Sequence, residues 1–157
     1  MRFLLFVWKH LPFWLQGVLS RIIRPSFQVF AAAVILDQEQ RILLEKLTYQ
    51  EIYSWGLPGG NIDYGEEPED AVIREVKEEL GFDIKIKKLL TAKNAEAKHI
   101  LGLFYWCEIT GGSFSSSLEV SEIKYFRLDN LPDVRPSDLV LLKQLSEKVD
   151  VLRNELA

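Results

Sequence analysis

The spacing of apolar residues changes several times along the chain, and each change marks a predicted element. In the first 25 residues Leu4, Val7, Trp8, Leu11, Leu15, Val18, Leu19 and Ile22 recur at helical intervals and form one broad stripe. Pro12 lies within that stripe and is expected to kink or divide the helix. After Arg24-Pro25 the pattern turns β-rich. QVFAAAVIL and RILLEK, separated by the polar Asp37-Gln38-Glu39-Gln40, predict two strands of a hairpin. The next stretch, LTYQEIYSWGLPGGNIDYGEE, has glycine at 56, 59, 60 and 65 and proline at 58. It is too interrupted for a regular element and suits a loop whose backbone approaches a ligand.

From Pro68 the helical period returns. Pro68 fits a first helical turn, Ala71, Val72, Val76 and Leu80 make a buried face, and Gly81 ends the helix. FDIKIKKLLTA and HILGLFYWCEIT predict two strands, the second nearly all apolar and therefore central. GGSFSSS predicts a loop, EIKYFRL another strand, and LPDVRP an irregular connector. A last helix is expected from an N-cap at Ser137, with Leu139, Leu142, Leu145, Val149 and Leu152 on one face. With no repeat or linker in between, the chain divides into an arm, residues 1–25, and one domain, residues 26–157.

Composition narrows the function classes. The 157 residues are 48% hydrophobic and 27% charged, which is ordinary for a globular domain. A net charge of −4 argues against duplex nucleic acid, which selects a basic face. Cys107 is the single cysteine, so the chain carries no internal disulfide or zinc-type spacing, and a buried strand position is expected for it. The arm differs from the rest: it holds Arg2, Lys9, Arg21 and Arg24 and no acidic residue. Its apolar run falls short of the ~20 residues of a spanning helix, and no small-residue cleavage site follows it. Two readings remain for it, packing on the domain or on a second copy, and peripheral contact with an anionic membrane through Trp8, Phe13 and Trp14. The location expected is cytoplasmic, with or without that membrane contact.

The candidate chemistry sits in REVKEELGF, residues 74–82. On a helix Glu75 is a surface neighbour of both Glu78 and Glu79, an arrangement that is repulsive without a partner. Such a cluster is ordinarily a solvated face. Beside a glycine-rich loop it also suits a hard divalent cation, which takes oxygen ligands and bridges carboxylates to phosphates. Arg74 is placed to hold a carboxylate by a charge-assisted hydrogen bond.

The spacing of the whole region decides between these. Gly60, five residues, Glu66, seven residues and then Arg74-Glu75-Val76-Lys77-Glu78-Glu79-Leu80-Gly81-Phe82 resembles the signature G-x5-E-x7-R-E-U-x-E-E-x-G-U of the Nudix hydrolase family (MutT-like), with U a bulky aliphatic residue. Every fixed letter is matched; Phe82 alone replaces a more usual aliphatic. Trp55-Gly56-Leu57-Pro58-Gly59-Gly60 is similar to the family's lead-in, and Arg127-Leu128-Asp129-Asn130-Leu131-Pro132 to its exit.

The resemblance implies an α/β fold, the α/β/α sandwich with a mixed sheet, here carrying the amino-terminal arm. It implies hydrolysis of a nucleoside diphosphate linked to another moiety, with Mg²⁺, or Mn²⁺ in its place. The metal ligands it implies are Glu75, Glu78, Glu79 and the Gly60 carbonyl, with Arg74 orienting the glutamates and Glu66 in a loop-stabilising or outer role. The general base is open among Glu75, Glu119 and Glu122, with Glu122 preferred because it directly precedes the IKYF strand. Tyr53, Trp55, Tyr64, Phe104 and Trp106 are candidates for stacking on a base. The ADP-ribose subgroup's proline is replaced by Ala97, and the dinucleoside polyphosphate subgroup's tyrosine by Lys98 and His99. The default is therefore a nucleoside triphosphate, a modified nucleotide or a nucleotide sugar. A non-catalytic regulator that binds nucleotide or ADP-ribose is the alternative, and such proteins usually lose motif glutamates. A homodimer is also common in the family.

Overall fold

The structure is a computed structural model that describes residues 2–23, 27–95, 99–136 and 138–145. Helices α1 (Arg2–His10) and α2 (Phe13–Ile23) form the arm. Strands β1 (Gln28–Ile35), β2 (Ile42–Leu47), β3 (Trp55–Gly56) and β4 (Gly59–Asn61) precede helix α3 (Pro68–Leu80). Strands β5 (Phe82–Ala95), β6 (Ile100–Gly112) and β7 (Val120–Phe126) follow, and a helical segment spans 138–145. The Ser137 cap, Val149 and Leu152 of the expected last helix, the Arg24-Pro25 boundary, Ala97 and Lys98 lie outside the described residues.

The strands make two sheets, β4-β1-β6-β5 and β3-β2-β7. β1 and β6 run parallel while every other pair is antiparallel, so the larger sheet is mixed. β1 is buried on both faces, which accounts for its unbroken apolar run. Ala31, Ala33 and Ile35 pack with Ala71, Val72, Val76 and Leu80 of α3, whereas Ala32 and Val34 pack with Leu141, Leu142 and Leu145. A helix thus covers each face, the α/β/α arrangement expected.

Three expectations change. β1 and β2 are not a hairpin: they meet at one bridge, Leu36 to Ile42, and then join different sheets. Each is a largely buried strand that needs a partner on both edges; β4 and β6 satisfy β1, and β3 and β7 satisfy β2. The turn between them is closed by Asp37, whose carboxylate accepts from the N–H groups of Glu39 and Arg41 at 3.0 and 2.8 Å. Second, the glycine-rich stretch is not wholly irregular, because β3 and β4 are short strands within it. β6 is central, as its composition requires. Third, Glu79, expected like Glu75 and Glu78 to look outward or sideways from α3, is buried beside its apolar face.

In the arm, Pro12 does divide the helices, and Gln16 Nε2 bridges the break by donating to the carbonyls of Trp8 and Leu11. Trp8, Leu11, Leu15 and Leu19 are half-buried, but Val7 and Val18 are exposed. Cys107 is buried in β6, and burial pushes its thiol up to about 12, so a reactive thiolate is disfavoured.

Candidate functional site

Helix α3 is started and stopped by its own sequence. Pro68 occupies the first turn with Glu69 and Asp70, whose charges suit the helix N-terminus. Gly81 ends it in the left-handed region at φ 78°, donating its N–H to the Lys77 carbonyl at 3.0 Å. A Cβ there would lie 2.7 Å from the Ser113 carbonyl oxygen, so a side chain is excluded on two grounds. The helix therefore presents Glu75, Glu78 and Glu79 at one fixed height against β4.

The three glutamates sit in three environments. Glu79 is buried, and its Oε2 accepts the Gly59 N–H at 3.0 Å. Glu75 is mostly covered, at 17% side-chain exposure, while Glu78 is open at 63%. Arg74 ties the set together. Its Nε and Nη2 grip Glu66 in a bidentate pair at 2.9 and 3.0 Å, and its Nη1 donates to Glu75 at 2.8 Å and reaches Glu78 at 3.5 Å. Its Nη2 also donates to the Asn61 carbonyl at 3.2 Å, joining helix to β4.

Glu66 completes the loop by accepting the Asp63 N–H at 3.0 Å. The Arg74 guanidinium, with that backbone N–H, holds its carboxyl down at about 2. Its stabilising contribution is complete above the ordinary carboxylate value and is lost as pH falls towards 2. Glu66→Gln is accordingly expected to lower Tm at pH 7 and to matter progressively less in acid. A Tm difference that stays constant from pH 7 to about pH 2 would contradict the pairing.

Two glycines let the loop approach these carboxylates. Gly59 has φ 144°, and a Cβ on it would stand 2.3 Å from the Ala31 carbonyl oxygen, against which β4 pairs. At Gly60 a Cβ would instead lie 2.3 Å from Glu75 Oε1. These differ in consequence, because the obstacle is backbone in the first case and a movable side chain in the second. Gly60→Ala should fold with little loss of stability yet displace Glu75. Thermal melts beside activity assays check this, and parallel losses in both would contradict it.

Around these groups is a cleft of about 520 Å³. Gly59, Gly60, Glu75, Glu79, Glu119 and Arg135 line it together with Gln28, Phe30 and Ile100, while Glu78 is not among the lining residues described. Of the two later glutamates, Glu119 lines this cleft. Glu122 lies on β7, half exposed, with Lys46 Nζ 3.8 Å from its carboxylate, and is not among the lining residues described. Tyr53, Trp55, Tyr64, Phe104 and Trp106 are not among them either: Trp55 packs edge-on against Phe126, Phe104 against Phe30, and Tyr64 is fully exposed. Phe30 and Tyr49 are the aromatics that reach the cleft.

Three further charged residues were not visible as site residues in the sequence. Asp138 is buried; its Oδ2 accepts the Leu57 N–H at 3.0 Å and Arg135 Nε at 2.9 Å. Arg135 Nη2 donates to the Leu57 carbonyl at 2.6 Å, so the pair clamps the strand–loop junction just before Gly59. Burial opposes the charge of Arg135, but Asp138 and Glu45 more than offset it and push its pKa up. Glu45, on β2, is fully buried, and neither of its carboxylate oxygens has a hydrogen-bond partner among the described residues. Burial pushes its carboxyl up, and the facing Glu79 adds to this. Burial likewise raises Glu79, with the Gly59 N–H working in the opposite direction. The signal for Glu45 was present as a carboxylate inside the apolar run RILLEKL; Arg135 and Asp138 carried none beyond their place after a connector.

Among the described residues no three carboxylate, histidine or cysteine side chains converge on one point. The donor set nevertheless fits a hard divalent cation. It consists of carboxylate and backbone oxygens, Gly60 leaves space beside Glu75 that a Cβ would fill, and Glu45 and Glu79 form a buried pair that cannot meet without a proton or cation between them.

A family model described as the NUDIX domain matches residues 27–145. The chain is similar to the ADP-ribose pyrophosphatase of Methanocaldococcus jannaschii, 32% identical over 103 residues, 62% of this chain and 61% of that protein. A putative ADP-ribose pyrophosphatase of Bacillus subtilis is 31% identical over 124 residues, 74% of this chain and 58% of that protein. The chain thus spans about three-fifths of the length of these curated relatives. Among solved structures, a MutT NUDIX hydrolase from Burkholderia pseudomallei matches with a TM-score of 0.64 at 30% identity, over 77% of this chain and 99% of that one. The matched residues carry both sheets, α3 and the glycine loop that together build the cleft, and the chain belongs to the Nudix family.

Proposed function

We propose that the chain hydrolyses a diphosphate bond in a nucleoside diphosphate linked to another moiety, with Mg²⁺ as the cofactor and Mn²⁺ as a substitute. The observation that carries this reading is the pair Glu75 and Glu79 of α3, held in the cleft beside Gly59 and Gly60, with Glu78 next to them on the helix and joined through Arg74. The names of the relatives point the same way and put nucleotide sugars such as ADP-ribose first among substrates to test. Retention of all three glutamates disfavours a non-catalytic regulator.

Glu75, Glu78, Glu79 and the Gly60 carbonyl would hold the cation. When bound, it supplies neutralising charge on the diphosphate and lowers the pKa of an attacking water. Arg74 fixes the carboxylate orientations through its contacts to Glu66, Glu75 and Glu78. The Gly59 N–H holds Glu79 in register with the loop. Arg135, already at the cleft wall, offers a positive charge to the phosphates. For the general base we propose Glu119 in place of Glu122, since Glu119 lines the cleft with Glu75 still available on the helix.

The test is a panel of ADP-ribose, other nucleotide sugars, nucleoside triphosphates and 8-oxo-dGTP with Mg²⁺, products separated by chromatography. Turnover of at least one to a nucleotide plus a phosphate-bearing fragment is expected. Binding of a panel member with no hydrolysis of any would overturn the enzymatic reading. Within the same assay Glu119→Gln should lower kcat far more than Glu122→Gln, and the reverse order would return the base to Glu122.

A further inference from the structure

The arm has two apolar faces, and the structure accounts for one of them. Trp8, Leu11, Leu15 and Leu19 are half-buried along the helix pair, joined across the break by Gln16. The other face remains open: Phe6 is 61% exposed, Phe13 90%, Trp14 69% and Val18 46%. On α2, Trp14 and Val18 share a face, being spaced at i and i+4, and Phe13 stands beside Trp14 at the start of the helix. None of the described arm residues belongs to either core cluster of the sheets. Large apolar side chains exposed together on so short an arm mark an interaction surface.

Charge identifies the occupant. The first 25 residues hold four Arg and Lys and no Asp or Glu, which leaves fifteen basic against twenty-three acidic residues, a net −8, for the remainder. An acidic body is repelled by an anionic bilayer, and an acid-free, cationic, aromatic arm is the part that can approach one. The helices are 9 and 11 residues, roughly 14 and 17 Å long, so neither crosses the ~30 Å hydrocarbon layer. No described helix is long and apolar enough to span a membrane. A helix pair of this kind lies in the interface, with rings at headgroup depth and Lys and Arg among the lipid phosphates. A second copy fits less well. Among the described residues the body's other large exposed apolar side chains, such as Ile52, Leu89, Leu118 and Val140, are scattered over separate segments, and an arm-to-arm contact would set like basic charges against each other.

We propose that the amino-terminal helical pair docks the protein peripherally on an anionic lipid bilayer, through the Phe6, Phe13, Trp14 and Val18 face and its flanking basic residues. None of these four residues is among the described lining of the cleft, so docking and hydrolysis are independently measurable. The test is vesicle flotation of the full chain on phosphatidylcholine vesicles with and without phosphatidylglycerol. The wild-type chain should float only with the anionic vesicles and less so in high salt. The Phe13→Ser/Trp14→Ser variant should lose about tenfold or more of that partitioning. Its melting temperature and nucleotide hydrolysis should stay unchanged. A charge-swapped Lys9→Glu/Arg21→Glu variant should lose it too, with both aromatics kept. The proposal is overturned if the wild-type chain does not float with anionic vesicles, or if it and the serine variant float equally. It is also overturned if the wild-type chain stays unbound as a dimer that the serine variant converts to monomer, because a second copy then covers the face.

Discussion

Glu79→Gln is expected to lower turnover by on the order of 10²–10³-fold, the scale set by removing one charge-stabilising group from a preorganised site. The substitution is nearly isosteric, and the amide oxygen still accepts the Gly59 N–H that Glu79 Oε2 accepts at 3.0 Å. What changes is the charge. Glu79 is buried against Glu45, and burial raises the carboxyl groups of both. That cost falls on the folded protein whether or not it is catalysing. The neutral amide removes it, so the variant should fold with a Tm at least equal to that of wild type. Lost activity with undiminished stability is the signature of a carboxylate kept for cation binding rather than for packing. Equal turnover by the two proteins would remove Glu79 from the ligand set.

Asp138→Ala should have the largest effect on stability, about 3–5 kcal/mol, as for other buried pairs broken by removing one partner. Asp138 is 1% exposed and supports both the Leu57 N–H and Arg135. Without it, Arg135 is left near the core with only the Leu57 carbonyl as its described hydrogen-bond acceptor. Denaturant midpoints at constant m check the value. A loss under about 1 kcal/mol, the range of exposed pairs, would show that the clamp is not needed to hold the loop. The Asn variant separates its two duties, since an amide oxygen keeps the Leu57 contact without the charge facing Arg135.

The local signals in the sequence were physical and transferred well. Pro68, the 3.6-residue period and Gly81 are facts of backbone geometry, so the limits of α3 and the placement of its glutamates could be read without a partner in sight. β6 was legible as central because a strand buried on both faces has nowhere to put polar residues. What could not be read was pairing between distant segments. QVFAAAVIL and RILLEK are neighbours in sequence, but their edges are satisfied by β4, β6, β3 and β7, two of which, β6 and β7, lie more than sixty residues further on. The same limit hid Arg135 and Asp138, which reach Leu57 from 78 and 81 positions away. It also set Glu119 apart from Glu122. They are three positions apart in sequence, but the first lines the cleft and the second lies beside Lys46. Glu79 was misread for a smaller reason: helical spacing places it next to the apolar face, and only the approach of β2 and β4 buries it.

The central claim is that the α3 glutamates work through a divalent cation. Initial hydrolysis rates of the best panel substrate, measured after chelation and then across a Mg²⁺ titration, address it most directly. Turnover should be absent in chelator and recover saturably with Mg²⁺, with a titration midpoint that moves to higher Mg²⁺ in Glu75→Gln. Hydrolysis that persists undiminished in chelator, or a midpoint unchanged by Glu75→Gln, would contradict it.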